Sequence, residues 1–199
     1  DTVRVSPLED TIVALRPIIP SLPFELPNSI RPLDPMMLTN QPAPSFNNID
    51  QNGIPTAPIV NKLVNFGWEY VYHCHILSHE EMDMMRPVSV ALPPYAPTGL
   101  AMDPAAKKLS WNDNSINETD FVVQRSTDGG ATWTDIATSP SPLDQPNVHG
   151  VRSIVDSTFK ANSSYQYKVI ARNTVGYGAE FMSMSVQSVS PVLLYGTVP

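Results

Sequence analysis

The residues that could do chemistry are concentrated in one short stretch, HCHILSHEEMDM, from His73 to Met84. Three of the four histidines (His73, His75 and His79) lie within seven residues of one another, and the only cysteine, Cys74, lies between two of them. A thiolate, imidazoles and a distant thioether are ligands that suit copper. The stretch therefore predicts a transition-metal site.

The strand predicted over residues 68–75, WEYVYHCH, separates these ligands into two sets. Its aromatic and β-branched residues are typical of a strand, in which successive side chains point to opposite faces. His73 and His75 therefore point one way and Cys74 points the other. A metal bound through Cys74 would lie on the opposite side from a metal bound by the two histidines, with one residue of backbone between them.

A short helical turn is predicted over residues 78–84, with Ser78 as its cap. The turn folds the chain back, which would bring His79 and Met84 towards Cys74. A cysteine, a histidine and a weak axial methionine are ligands of a blue copper site. One strand can thus connect a soft, electron-accepting site to a second site rich in imidazole.

Each of these residues also has a plainer interpretation. A buried cysteine is usually a small inert hydrophobe, and Met82, Met84 and Met85 could fill gaps in a core. Cysteine and histidine also bind zinc. The complete set, in this order and on a strand–turn–strand frame, favours metal binding over these alternatives.

The stretch resembles the C-terminal copper signature of multicopper oxidases, His-Cys-His-Ile-x-x-His followed five residues later by Met or Leu. The flanking residues 70–72 (YVY) and 84–87 (MMRP) are most similar to bacterial laccases of the spore-coat and bilirubin-oxidase type. Residues 1–5 (DTVRV) resemble the segment that follows the family's upstream His-Pro-x-His-x-His motif. The resemblance covers residues 1–92 and implies the C-terminal portion of a last cupredoxin domain.

The resemblance implies a role for each residue of the motif. Cys74 and His79 correspond to ligands of the type 1 copper, and Met84 corresponds to its axial ligand. His73 and His75 correspond to ligands of the two type 3 coppers in a trinuclear type 2/type 3 cluster. Copper is therefore the implied cofactor.

Two further residues of the stretch, Glu80 and Asp83, are acidic. Glu80 is similar to a residue that in some relatives helps deliver protons to dioxygen, and its plainer interpretation is a carboxylate in the first turn of a helix. Asp83 stands where many relatives have glycine, which leaves the geometry of the turn open.

The resemblance also implies the activity. A small reducing substrate (a phenol, a bilirubin-like pigment or a metal ion) would give single electrons to the type 1 copper, and dioxygen would be reduced to water by four electrons at the cluster. The family needs ten histidines, and this chain offers three in place. Upstream cupredoxin domains are the expected partners, and the chain alone is expected to be inactive. A periplasmic or extracellular location is implied by the family.

Further strands are predicted from alternating apolar residues on both sides of a proline-rich linker at residues 93–97 (PPYAP). A long proline-rich surface loop is predicted over residues 17–58. Before the linker, strands are predicted at residues 3–5, 11–15, 60–64 and 87–92. After it, they are predicted at residues 99–102, 108–111, 120–126, 132–137, 151–156, 164–174 and 180–188.

The part after the linker resembles a fibronectin type III domain. Seven short strands at regular spacing are typical of a β-sandwich, and the DGG sequence at residues 128–130 is a hairpin signal. Trp111 lies where that family keeps its core tryptophan, and Tyr165 lies in the tyrosine-corner position. A spacer or stability module is favoured over docking to a surface polymer or to the oxidase itself. The expected all-β organisation is a partial cupredoxin β-sandwich (1–92), the linker (93–97), a fibronectin type III-like β-sandwich (98–190) and a tail (191–199).

Composition narrows the classes of function. The 199 residues include 12 basic and 19 acidic side chains, a net charge of −7, which argues against a nucleic-acid partner. No apolar run approaches the roughly 18 residues that span a bilayer. A single cysteine excludes an internal disulfide. The alternative from another class is a non-catalytic copper-binding or cell-surface interaction protein with a fibronectin-like module.

Overall fold

The computed structural model describes residues 2–44, 48–50, 52–178 and 183–196. Over these residues the chain is all-β, as predicted, with one helical turn. No helix among them is long and apolar enough to span a membrane. The elements in chain order are β1 Ile30–Pro32, β2 Leu63–Asn65, β3 Trp68–His73, α1 Leu77–Glu80, β4 Met85–Val90, β5 Thr98–Asp103, β6 Lys108–Asp113, β7 Asp120–Ser126, β8 Thr134–Pro140, β9 Gly150–Val155, β10 Tyr165–Val175, β11 Met184–Val189 and β12 Leu193–Tyr195.

The strands after the linker form two antiparallel sheets that pack face to face. One sheet has the order β5-β6-β9, and the other has the order β11-β10-β7-β8, with β12 also paired to β10. A single core lies between them, built around Trp111 from the first sheet and Phe121 and Tyr167 from the second, all at most 1% exposed. The β-sandwich predicted for this part of the chain is therefore present.

The sequence predicted the positions of these strands closely, because each one alternates apolar and polar residues. The strand at residues 120–126 has the expected bounds, and the DGG turn joins β7 to β8 with Gly129 and Gly130 at φ of 73° and 93°. The predicted strand at 180–188 is observed as β11, although its first residues lie outside the described ranges. β12 was not predicted.

The tyrosine that bonds back to the preceding loop is Tyr167 and not Tyr165, which corrects the sequence assignment. The Tyr167 hydroxyl donates to Oδ2 of Asp156 at 2.9 Å, and Arg125 holds the same carboxylate at 2.7 Å. Tyr165 instead packs beside Phe159, with ring centroids 5.6 Å apart. Both residues face the core, since they are two positions apart on one strand.

The part before the linker has almost no core of its own. Its described buried apolar side chains are Ala43, Ile59, Val64 and Leu92. Ile59 and Val64 form a small cluster whose third buried member, Tyr177, comes from the sandwich. The Tyr177 hydroxyl also bonds both the N–H and the carbonyl of Val60, at 3.0 and 2.6 Å. This part is therefore ordered through its contacts with the sandwich.

The two strands predicted near the N terminus are absent, and that prediction was wrong. Residues 2–22 contain no strand, and apolar side chains within them are exposed, including Val5 at 60% and Ile12 at 99%. Alternation of apolar residues indicates a strand only where a neighbouring strand pairs with the backbone and the apolar side chains meet a core. No described strand pairs with residues 3–5 or 11–15. The strand expected at 60–64 is observed as β2, shifted towards the C terminus.

The strand pair β3–β4 forms a separate two-stranded hairpin that carries the predicted metal ligands. Trp68 pairs with Val90 at its base, and His73 pairs with Met85 at its loop end. Arg31 on β1 makes a two-pronged contact with Glu69 at 2.6 and 2.8 Å, which ties the base of β3 to the preceding strand. The hairpin exposes apolar side chains along its length, including Val71, Tyr72 and Met85.

A buried acid pair lies in the sandwich. Asp113 and Glu118 are 3% and 2% exposed, and Arg152 lies 3.1 Å from Asp113 and 3.8 Å from Glu118. Ser141 donates to Oε1 of Glu118 at 3.1 Å, while Oε2 is buried without a partner. Burial, and then the charge on Asp113, raise the pKa of Glu118 from 4.5 to about 7.

This raised pKa predicts that Glu118 lowers stability as pH rises. Between its unfolded pKa and its folded pKa of about 7, the native state holds a proton that the unfolded state has released, so the free energy of unfolding falls with pH through that window. Glu118→Gln keeps a neutral side chain of the same shape. We expect the variant to gain stability relative to the parent between about pH 5 and about pH 8, measured by urea unfolding at both values. Glu81→Gln, at an exposed site, is the control. A stability difference that does not change with pH would contradict the prediction.

Candidate metal centre

All the predicted ligands lie at the loop end of the β3–β4 hairpin. The ladder ends at the pair His73–Met85, and residues 74–84, which include α1, connect the two strands. The base of the hairpin faces the sandwich, so the ligands lie at the far end of a six-residue strand. At about 3.3 Å per residue, they are roughly 17–20 Å from the first pair of the ladder.

Two histidines and one carboxylate converge at this end. His73, His75 and Glu80 each place one potential ligand atom within 4.8 Å of the other two. The imidazole centroids of His73 and His75 are 4.6 Å apart, and Nδ1 of His73 is 4.0 Å from Oε1 of Glu80. The two histidines share a face, as the alternation of the strand predicts. We call His73, His75 and Glu80 the His–His–Glu cluster.

The chemistry of the His–His–Glu cluster fits a cation. Nδ1 of His73 is buried and has no hydrogen-bond partner, so a nitrogen lone pair or N–H remains unsatisfied inside the site. Imidazole nitrogens and a carboxylate oxygen are ligands for zinc, copper and iron. A divalent ion within reach of the three side chains would satisfy His73 and offset the negative charge of Glu80.

Cys74 is not part of this cluster. It is a free, half-buried cysteine between the two histidines in sequence, and its sulfur accepts the N–H of Ile76 at 3.5 Å. The separation of Cys74 from the two imidazoles agrees with opposite faces of one extended segment.

The helical turn is shorter than predicted and is capped differently. It spans Leu77–Glu80 with Ile76 at the N-cap, and no side chain caps it. Ser78 lies inside the helix, so its assignment as the cap was wrong. Ile76 adopts the extended conformation that an N-cap requires, and this places the helix start two residues earlier than a serine cap would.

The segment after the helix returns the chain to His79. The N–H of Met84 donates to the carbonyl of His79 at 3.0 Å, so the backbones of these two predicted type 1 ligands are in contact. Asp83, between them, has φ of 56°, in the left-handed region that favours glycine. Its position, where many relatives of the resembled family have glycine, is therefore a tight turn. Aspartate is one of the few other residues that adopt this conformation readily.

The fourth histidine lies outside the site. His149 is in a loop of the sandwich, with Nε2 at 2.7 Å from Oε2 of Glu25. It provides a matched histidine–glutamate pair for experiments on the His–His–Glu cluster.

The sequence analysis missed the residues that hold the base of the hairpin. Asn65 and Asn173 are 2% and 0% exposed, and their amides bond each other at 2.9 Å. A signal was present: in β10, Tyr165, Tyr167, Val169, Ala171, Asn173 and Val175 are the alternate, buried positions, and Asn173 is the only amide among them. A polar residue in a row of core positions indicates a specific buried partner.

Comparison with curated proteins gives a short match to one relative. A laccase from Bacillus stratosphericus is 50% identical over 32 residues, which are 16% of this chain and 6% of the laccase. The chain therefore matches only a small fraction of the length of that curated relative. No protein-family model matches the chain.

A structural comparison gives one further similarity. The crystal structure of domains A168-A170 from titin aligns over 55% of this chain and 35% of the titin chain. The TM-score is 0.30 and the sequence identity is 15%. The all-β class rests on the strands described above.

The geometry of the His–His–Glu cluster predicts that the chain binds one divalent cation. In a Cys74→Ser background, which removes the competing thiolate, Glu80→Gln takes away the only anionic ligand, and we expect zinc affinity to fall about tenfold. Isothermal titration with zinc measures the change. His149→Gln removes a histidine that lies 2.7 Å from a glutamate outside the cluster and should leave the affinity unaltered. Equal affinities for Glu80→Gln and its parent would contradict the prediction.

Proposed function

We propose that this chain is the C-terminal part of a multicopper oxidase. The observation that supports it is the arrangement at the end of β3, where two adjacent imidazoles share one face and the cysteine between them is excluded from their cluster. Such an arrangement allows two metal sites that are joined by a single residue of backbone. The short identity to a laccase agrees with the proposal.

In this proposal Cys74, His79 and Met84 hold the type 1 copper. Cys74 offers a sulfur that accepts the N–H of Ile76, and the turn at Asp83 brings the backbone of Met84 against that of His79. When bound, this copper accepts single electrons from a reductant and supplies them to the cluster where dioxygen is reduced to water. The axial role of Met84 follows from its place in the motif.

His73 and His75 bind the type 3 coppers in this proposal. His73 directly precedes Cys74 and His75 directly follows it, so the covalent path from the Cys74 sulfur to either imidazole is short. Glu80, 4.0 Å from Nδ1 of His73, is the carboxylate placed to hold a proton beside the cluster. Glu80 is partly exposed, which gives it access to solvent protons.

The substrates and partners follow from the proposal. Dioxygen and a small reductant (a phenol, a pigment or a metal ion) are the substrates, and the enzyme acts in the periplasm or outside the cell. The remaining histidines come from upstream cupredoxin domains. The exposed apolar side chains of the hairpin, such as Val71 and Tyr72, agree with a surface that packs against further protein.

A non-catalytic copper-binding protein is the second candidate. It is favoured by one observation: the His–His–Glu cluster is formed within this chain without residues from another domain. Such a protein would bind copper through imidazole and carboxylate alone, and it would not need Cys74.

Copper titration of the chain, followed by visible absorption and electron paramagnetic resonance, tests the oxidase proposal. With one histidine missing from the type 1 set, the chain alone should bind copper through the His–His–Glu cluster and develop no stable blue band. A stable blue chromophore at one copper per chain would contradict the proposal, because it would show a type 1 site that is complete in this chain.

The complete reading frame provides the positive test of the oxidase. Purified with copper, it should show an intense blue band and consume oxygen in the presence of a phenol. Cys74→Ser should abolish both, because the thiolate is the source of the blue absorption and the electron path. Ser78→Ala, at an exposed neighbouring position, is the control that should retain them. Oxygen consumption that survives Cys74→Ser would overturn the proposal.

A further inference from the structure

The base of the β3–β4 hairpin is held by a group of buried or half-buried asparagines. On the entering side, Nδ2 of Asn65 donates to Oδ1 of Asn173 at 2.9 Å and to the carbonyl of Thr174 at 2.8 Å. Oδ1 of Asn65 accepts the N–H of Gly67 at 2.9 Å, one residue before β3 begins. The start of β3 is thereby bonded to β10 of the sandwich.

The leaving side of the hairpin is held by the same residue. Nδ2 of Asn173 donates to the carbonyl of Leu92 at 2.9 Å, two residues after β4 ends, and Nδ2 of Asn117 donates to that carbonyl at 3.2 Å. Asn173 thus uses its oxygen for the chain that enters the hairpin and its nitrogen for the chain that leaves it. It is 0% exposed, so no water competes for either atom.

A further amide closes the group. Asn28 and Asn173 donate to each other at 3.2 Å, and Nδ2 of Asn28 also donates to the carbonyl of Asn117 at 2.7 Å. We call Asn28, Asn65, Asn117 and Asn173 the amide clamp. Its members come from both sides of the linker.

The backbone at the clamp has little room to adjust. Gly67 has φ of 64°, and a Cβ there would lie 2.4 Å from the carbonyl oxygen of Val90 and 3.0 Å from the Val175 side chain. The N–H of Gly176 donates to the carbonyl of Asn65 at 2.8 Å. Since both faces of the hairpin expose apolar side chains, the orientation of β3–β4 is set at its base.

We propose that Asn173 is a positioning residue for the metal-bearing end of the hairpin, and that the C-terminal sandwich acts as the platform that orients that end. β3 is six residues long, so a small rotation at the clamp displaces His73 and His75, at the far end of the strand, by a larger distance. The link to copper rests on the proposed function, whereas the platform role concerns the hairpin alone.

Site-resolved amide hydrogen exchange on the chain tests the platform role without any metal. Asn173→Ala removes the bonds to both sides of the hairpin, and we expect exchange in the β3–β4 ladder to accelerate about tenfold, with β6–β9 amides unchanged. Tyr177→Phe is the matched control, because it breaks the bonds to Val60 across the same two parts of the chain but does not touch the hairpin base.

The outcomes distinguish positioning from general stabilisation. Uniform acceleration of β3–β4 and β6–β9 would make Asn173 a stability residue and overturn the proposal, as would an equal effect of Tyr177→Phe on β3–β4. Should Asn173→Ala fail to fold, Asn28→Ala must give the same local pattern at smaller amplitude, and an unchanged hairpin would overturn the proposal.

A spectroscopic readout connects the clamp to the metal site. Copper bound to the chain is expected to give broader electron paramagnetic resonance lines in Asn173→Ala than in the parent or in Tyr177→Phe, because the ligands sample more orientations. Identical lines in all three proteins would overturn the effect on the metal site. Exchange that is local to β3–β4 in a chain that binds no copper would support the platform role and contradict metal binding by the His–His–Glu cluster.

Discussion

The structure depends on the contact between the part of the chain before residue 93 and the face of the sandwich that holds Asn173 and Tyr177. The first part buries few apolar side chains, far fewer than the sandwich, and its small cluster at Ile59 and Val64 is completed by Tyr177. Apolar burial is the main favourable contribution to folding, so this part cannot be ordered by its own contacts. The base of the hairpin is bonded to the sandwich at that shared interface.

Much of this interface is polar, and its hydrogen bonds fix the orientation of the two parts of the chain. Apolar contact has no preferred direction, whereas an amide bonded at both its oxygen and its nitrogen fixes the orientation of each partner. Asn173 is bonded to Asn65 at one atom and to the carbonyl of Leu92 at the other. A leucine in its place would bury more apolar surface but would remove one acceptor of Asn65 and one donor to that carbonyl, leaving only the Thr174 carbonyl and Nδ2 of Asn117 as their partners. The amides therefore give the hairpin one orientation where apolar residues would allow several.

The sequence was informative where local alternation and tertiary environment agree. Strand β6 and most of β10 alternate against one core, and their positions could be predicted from period two. The residues at 3–5 and 11–15 have the same alternation but no neighbouring strand, and they form none. That His73 and His75 share a face follows from strand geometry. The approach of Glu80 to them depends on where α1 begins, and its N-cap residue, Ile76, lacks the polar side chain that marks a helix start. The amide clamp joins residues more than 100 positions apart, which no local pattern encodes.

The order His-Cys-His has a physical consequence that does not depend on which metal binds. Three ligands on consecutive residues cannot all point at one ion from an extended strand, because the middle side chain faces away. The structure shows the two imidazoles together and the cysteine apart, with its sulfur bonded to the N–H of Ile76. A closed zinc site would need all of its ligands around one ion, whereas this segment divides soft sulfur and borderline nitrogen between two faces. This backbone geometry therefore favours two separate metal sites over one closed site.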